Sequence, residues 1–241
     1  IFCTPSYALH MAEVAQQNKI DLTSSSVKKI IVAGEPGGSI PSIRQRIESS
    51  WNAKVVDHSG ASEVGPWGYA DAKGKGIYVN EAEFSAEFIS VATGNPAAEG
   101  ELSELVLTCL GRIGSPVIRY RTGDLVRPQW NTSGSCNFVL LDGGVLGRTD
   151  DMMIIRGVNV FPTSIEKILR GFPEIAEYRL TTFKQESMDQ LKIEIEDQLE
   201  SPERVRSELQ IQLGLRIEVE CVPTGSLPRF EAKGKRFIDQ R

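Results

Sequence analysis

Gly147-Arg148-Thr149-Asp150-Asp151-Met152-Met153-Ile154-Ile155-Arg156-Gly157-Val158-Asn159-Val160-Phe161-Pro162 is the stretch around which the chain is organised. Arg148 and the adjacent carboxylates Asp150 and Asp151 follow no apolar period, so they read as exposed loop. Met152 to Ile155 is a short apolar run, a buried strand or a helix fragment. Gly157 breaks that run, and Pro162 is placed to open a helix. Charged loop, buried strand, glycine turn and helix start suit a joint between two folding units. The same residues would also suit an ordinary solvated loop before a strand, and the neighbouring sequence has to decide between the two.

Upstream, Thr4-Pro5 looks like a cap and first helical position, with Ala8, Met11, Ala12 and Ala15 on one apolar face. Val27 to Ala33 reads as a strand running into Gly34-Glu35-Pro36-Gly37-Gly38. A helix after Pro41 would align Ile43, Ile47 and Trp51. A second strand, Val55-Val56, ends at Asp57-His58-Ser59-Gly60-Ala61-Ser62-Glu63-Val64-Gly65-Pro66. Strand, helix, strand, with a glycine-rich turn at each strand's carboxyl end, predicts a parallel α/β sheet. Ligands of such sheets bind beside those carboxyl ends.

From about Ile77 to Leu141 the pattern becomes β-rich. Phe84, Ala86 and Phe88 alternate with Glu83, Ser85 and Glu87, Leu105, Leu107 and Cys109 alternate with Glu104, Val106 and Thr108, and Val117–Tyr120 and Phe138–Leu141 are further short strands. Arg121-Thr122-Gly123-Asp124 places a carboxylate after what reads as a tight turn. Beyond the central stretch the expected order is strand (152–156), helix from Pro162, strands 175–183 and 190–196, helix 202–213 and strand 215–222. That is a βαββαβ, ferredoxin-like small domain followed by a polar tail.

Composition sets the outer limits. The chain has 241 residues, enough for more than one unit, with 40% hydrophobic and 24% charged residues as in a soluble globular protein. A net charge of −5 offers no basic excess for nucleic acid. No apolar run is long enough to span a membrane. Cys3, Cys109, Cys136 and Cys221 are scattered, without a CxxC pair, so neither a disulfide framework nor a local zinc site is expected. The reading is a cytoplasmic protein without nucleic-acid or membrane partners. A start at Ile1-Phe2-Cys3, apparently in mid-structure, suggests a piece of a longer chain. P-loop, dinucleotide-fingerprint, HExxH and GxSxG patterns are absent, and His10 and His58 alone give a histidine-based triad little to work with.

The ordered set DHSGASEVGP, VIRYRTGDLV, GRTDDMMIIRGVNVFP and PRFEAKGKR resembles the adenylate-forming superfamily. GEP before the second loop and GVNVFP after the double Asp point to its phenylacetate–coenzyme A ligase-like branch. The resemblance covers essentially the whole chain. It implies the C-terminal portion of the large AMP-binding domain over residues 1–149, first α/β and then β-rich. Residues 150–241 would be a small mobile domain carrying the catalytic lysine. The implied reaction activates a carboxylic acid, of the aryl or arylacetic kind, with ATP to an acyl-adenylate, then forms a thioester with coenzyme A. Two alternatives stay open: delivery of the acyl group to a carrier-protein thiol or an amine, and a nucleotide-binding domain that no longer catalyses. Implied partners are the acid, ATP, Mg2+ and coenzyme A, and a homodimer is left open.

Implied roles follow residue by residue. Lys233 would bridge the substrate carboxylate and the α-phosphate, and Glu63 would hold magnesium, a task for a hard oxygen ligand. Gly34, Glu35 and Pro36 would line the adenine. Asp57, His58, Ser59 and Ser62 would lie along the nucleotide, with the Ser62 hydroxyl toward the phosphates. Asp124 would accept hydrogen bonds from the ribose hydroxyls, and Arg148 would contact the nucleotide. Asp150 would be the hinge and Gly157 would line the coenzyme A entry. Three departures stand out. Ser59 replaces an aromatic residue, which removes a stacking face for adenine. Ala232 replaces a glycine before the lysine. Only Cys136 remains where some relatives carry a zinc-binding cysteine cluster, so no zinc is expected. The family's phosphate-cradling loop lies before Ile1, so these residues alone are expected to be inactive in adenylation. Ala61, Val64 and Trp67 are the candidates for the acid pocket.

Overall fold

The computed structural model describes residues 1–71, 73–130, 136–185, 188–228 and 236–241. They divide into two units, Ile1–Asp150 and Asp151–Arg241.

In the first unit, strand β1 (Phe2–Cys3) leads into helix α1 (Pro5–Gln17). The expected cap forms: Thr4 Oγ1 accepts the Tyr7 backbone N–H at 3.2 Å. Strand β2 (Lys29–Val32), helix α2 (Pro41–Trp51) and strand β3 (Lys54–Ala61) follow. β1, β2 and β3 pair in parallel. Ala8, Ile30, Val32, Ile43, Ile47, Trp51 and Val55 pack as one core. The buried Trp51 ring gives its indole N–H to the Ala8 carbonyl at 3.1 Å, which satisfies its polar edge.

β3 runs further than the sequence suggests. Its parallel pairing reaches Asp57, opposite Val32, and from His58 it continues antiparallel to β4 (Gly65–Ala70). His58 to Ala61 are therefore strand, and the turn is confined to Ser62–Val64. By exchanging one partner strand for another, the backbone keeps its hydrogen bonds where a loop had been expected. Strands β5 (Gly76–Val79), β6 (Phe84–Ser90), β7 (Ser103–Cys109), β8 (Tyr120–Val126), β9 (Pro128–Gln129), β10 (Leu140–Asp142) and β11 (Gly147–Arg148) complete the unit. They form two sheets, ordered β1-β2-β3-β4-β5-β10-β9 and β11-β8-β7-β6. The predicted apolar faces, Phe84 and Phe88 with Leu105, Leu107 and Cys109, meet Trp67, Val79, Val126 and Leu141 in a second core.

The second unit begins with β12 (Met153–Ile155) and β13 (Val158–Val160), a hairpin whose two-residue turn is Arg156-Gly157. Both turn residues are left-handed, φ 48° and 80°, the geometry that matches the twist of paired strands. Helix α3 (Pro162–Leu169), β14 (Ile175–Gln185), β15 (Met188–Asp197), α4 (Pro202–Leu213), β16 (Glu218–Cys221) and β17 (Phe237–Asp239) follow. Gly214, at φ 69°, ends α4 as the sequence predicts. The four-stranded sheet is ordered β16-β15-β14-β17. Strand 152–156 was expected to belong to the same unit's main sheet, but it satisfies its hydrogen bonds locally in the hairpin. The position beside β14 is filled instead by β17, from the polar tail. Met153, Ile155, Ile165, Leu169, Leu180, Ile193, Ile195, Val205 and Leu209 form the core.

Candidate active site

Asp124 owes its position to an irregular strand. Arg121-Thr122-Gly123-Asp124 lies within β8, where a tight turn had been expected. Arg121 pairs with Val106 and Leu125 with Glu104, so residues 122–124 bulge opposite Leu105 alone. Gly123 accommodates the bulge at φ 75°. The Thr122 hydroxyl donates to the Leu105 carbonyl at 3.0 Å and accepts the Asp124 N–H at 3.0 Å, closing the backbone groups the bulge opens. Bulges re-aim side chains, and here the Asp124 carboxylate comes out 19% exposed beside Arg148.

Arg148 joins three groups of the first unit. Its Nη1 donates to the Thr122 carbonyl at 3.1 Å and lies 3.4 Å from Asp124 Oδ1. Its Nε and Nη2 donate to the two Asp150 oxygens at 2.8 and 3.3 Å, a forked contact. The hydrogen bond from Arg148 holds the Asp150 carboxyl below the usual range. A side chain at position 123 would meet this guanidinium, since a Cβ there would stand 2.7 Å from Nη2. The residues read as ribose contact, nucleotide contact and hinge thus form one network.

The two glycine-rich segments are tied down from opposite sides. Glu35 Oε1 accepts the Ser6 backbone N–H at 2.6 Å in the first turn of α1, a position that favours a carboxylate. Ser39 donates its hydroxyl to Asp57 Oδ2 at 2.6 Å, and Asp57 Oδ1 accepts the His58 N–H at 3.0 Å. Burial pushes the Asp57 carboxyl up, against the lowering effect of those hydrogen bonds. Ser39, like Thr122, was not singled out from sequence. Its place directly after Gly37-Gly38 was the available signal. Gly34 is exposed and Pro36 half-buried, and His58 packs its ring 6.3 Å from that of Phe2. Ser59 is half-buried in β3, opposite Gly68.

Ser62 and Glu63 are exposed in the turn after β3, and the Glu63 carbonyl accepts a hydrogen bond from Arg112. An exposed carboxylate on a short turn fits a magnesium ion that takes most of its oxygens from phosphates and water. Val64 and Trp67 are buried in the second core, 3% and 1% exposed, with half-buried Ala61 packed against it. Val64 and Trp67 therefore serve the core and offer no surface to an acid. Gly157 is exposed in its hairpin turn, with nothing within 4 Å of where a Cβ would stand. Lys233 lies outside the described residues. A cleft of about 300 Å³ lined by Ile89, Gly94, Val106, Arg119 and Arg121 contains none of the predicted site residues.

Sequence and fold comparisons place the molecule. Residues 157–241 match the family described as AMP-binding enzyme C-terminal domain. The phenylacetate–coenzyme A ligase of Thermus thermophilus is 29% identical over the whole chain, and that of Escherichia coli is 31% identical, again over the whole chain. The chain spans 60% of the length of the first relative and 58% of the second. The crystal structure of a 2-hydroxyisobutyryl-CoA ligase, in its postadenylation state with an acyl-AMP, superposes over the whole chain. Its TM-score is 0.92 at 30% identity, and the match covers 54% of that protein. The chain belongs to the adenylate-forming, AMP-binding superfamily. Within it, the chain falls in the phenylacetate–coenzyme A ligase-like branch.

Proposed function

We propose that the protein carrying these residues is an AMP-forming acid–coenzyme A ligase acting on a carboxylic acid of the aryl or arylacetic kind. The observation that carries this reading is the Arg148 network, which ties Asp124 on the bulged strand to Asp150 at the end of the first unit. The names of the relatives support the choice of coenzyme A as acceptor.

In the first half-reaction a carboxylate oxygen of the acid attacks the α-phosphorus of ATP, and pyrophosphate leaves. Asp124 would accept the ribose hydroxyls on its two oxygens, and Gly34 to Pro36 would flank the adenine on a loop that Glu35 and Ser39 fasten to α1 and β3. Asp57, His58 and Ser59 would run along the nucleotide, with the Ser62 hydroxyl at the phosphates. Arg148 would hold the nucleotide side of the site in register. Glu63 would hold magnesium, which neutralises phosphate charge when bound. Lys233 would stabilise the charge developing between the carboxylate and the α-phosphate. In the second half-reaction the coenzyme A thiol attacks the acyl carbonyl and AMP leaves. Asp150 would serve as hinge and Gly157 as the uncrowded edge of the thiol's entry.

The test is acid-dependent exchange of pyrophosphate into ATP by the enzyme expressed from its full reading frame, run against a panel of aryl and aliphatic acids. Thioester formation with free coenzyme A should follow for the acid that drives exchange. Exchange without any coenzyme A thioester would move the reading to a carrier-protein or amine acceptor. No exchange with any acid would leave a nucleotide-binding domain.

A further inference from the structure

Glu177 on β14 and Glu196 on β15 face each other as direct partners in the antiparallel ladder, and both are buried, 4% and 0% exposed. Two buried carboxylates side by side repel each other and lose their hydration, so each needs a strong donor. Each accepts a donor from the C-terminal tail, and Glu177 Oε1 also accepts the neighbouring Tyr178 N–H at 3.0 Å. Glu196 Oε1 accepts the Leu227 backbone N–H at 2.8 Å. Glu177 takes a forked pair from Arg236, Nε to Oε1 at 2.7 Å and Nη2 to Oε2 at 3.1 Å. Leu227 and Arg236 stand on either side of the segment that contains Lys233.

Further contacts hold the Arg236 end. Its guanidinium lies 5.5 Å from the ring centre of the buried Tyr178, and the Arg170 guanidinium lies 5.2 Å from the same ring. The Leu180 N–H donates to the Arg236 carbonyl at 2.7 Å, and from Phe237 the chain runs on as β17 beside β14. Apolar residues would hold two sheet strands together at lower cost than a facing pair of carboxylates. The pair is accounted for by what it grips.

We infer that Glu177 and Glu196 are positioning residues that fix the two ends of the Lys233 segment, and so set that lysine for acyl-adenylate formation. The inference rests on the proposed ligase activity. A general acid-charge role elsewhere in the reaction is not part of it, because neither carboxylate is open to substrate. A group that stabilises charge at a reacting phosphorus works only within a narrow range of positions, and a misplacement of about 1 Å can cost about a hundredfold in rate.

The experiment compares Glu177→Gln, Glu196→Gln and Arg236→Lys with the unsubstituted enzyme, all from the full reading frame. Acid-dependent pyrophosphate exchange reports adenylation, and thioester formation from supplied acyl-adenylate and coenzyme A reports the second step. Backbone hydrogen exchange across 227–237 reports the anchoring itself. The expected result is faster hydrogen exchange in that tail with β15 still protected, kcat for adenylation reduced about a hundredfold, an unchanged KM for ATP and unchanged thioester formation. Should Glu177→Gln fail to fold, Arg236→Lys carries the test, since it keeps the charge and loses only the fork. Parallel loss of both half-reactions, or a loosened tail with normal adenylation, would overturn the inference. An unsubstituted enzyme with no exchange would overturn the ligase reading, and that failure is visible before any substitution is made.

Discussion

Arg148 and Asp124 are direct partners across the β11–β8 ladder, and Arg148 Nη1 approaches Asp124 Oδ1 to 3.4 Å. That pairing is made possible by the bulge at Gly123, where the backbone is left-handed at 75°. An exposed ion pair of this kind adds little stability, so its consequence is geometric: it orients the carboxylate that, on the proposed reading, would accept the ribose hydroxyls.

Gly123→Ala should therefore do two things. A left-handed backbone strains an L side chain by about 1–3 kcal/mol, which should appear as a lowered urea midpoint. The added Cβ would also stand 2.7 Å from Arg148 Nη2 and displace it, so KM for ATP should rise more than stability loss explains. An unchanged KM would mean that Arg148 takes no part in nucleotide binding.

Ser39→Ala would leave the buried Asp57 carboxylate without its hydroxyl donor. The cost expected is about 1–3 kcal/mol, measured by denaturant unfolding. The pH dependence has a definite sign. Burial raises the Asp57 carboxyl, so its ionisation disfavours the folded state, and stability from this group is present at low pH and lost as pH rises through the raised value. Asp57→Asn should remove that component and flatten the profile there. A profile unaltered by Asp57→Asn would contradict the assignment.

Glu177 has the opposite sign. Burial pushes its carboxyl up, but hydrogen bonds and charge from Arg236 pull it further down, so it ends below the usual range. Its contribution is present above its unfolded value and is lost as pH falls through the depressed one. Glu177→Gln should make acid unfolding of the second unit shallower over that window, followed by the near-ultraviolet signal of Tyr178. Equal acid sensitivity in both proteins would speak against the pairing.

Much of this architecture was legible in the sequence because local chemistry decides it. The Thr4 cap, the Pro41 helix start, the Gly214 stop and the alternation of Phe84, Phe88, Leu105 and Leu107 each follow from a residue and its immediate neighbours. The order of the motifs carried the family. Long-range pairing decides the rest. Nothing local to His58–Ala61 says that β4 will take over from β2 as partner, and nothing in Phe237–Asp239 says that β14 will receive it. Among site residues, Asp124 and Arg148 could be named one by one, but the Thr122 and Ser39 hydroxyls that place their neighbours matter only once distant strands meet.

Asp150 ends the first unit, and the Arg148 fork holds its side chain. Proline fixes one backbone dihedral and cannot absorb a hinge rotation. Asp150→Pro in the full-reading-frame enzyme should keep pyrophosphate exchange and lose coenzyme A thioester formation. A variant with both steps intact would put the hinge elsewhere.

Lys233 carries the central claim, and one comparison tests it most directly: pyrophosphate exchange and thioester formation from supplied acyl-adenylate, in the unsubstituted enzyme and in Lys233→Ala. The account predicts that the unsubstituted enzyme performs both, while Lys233→Ala loses acid-dependent exchange and still converts acyl-adenylate to the coenzyme A thioester. Exchange that survives the substitution, or equal loss of both steps, would contradict it.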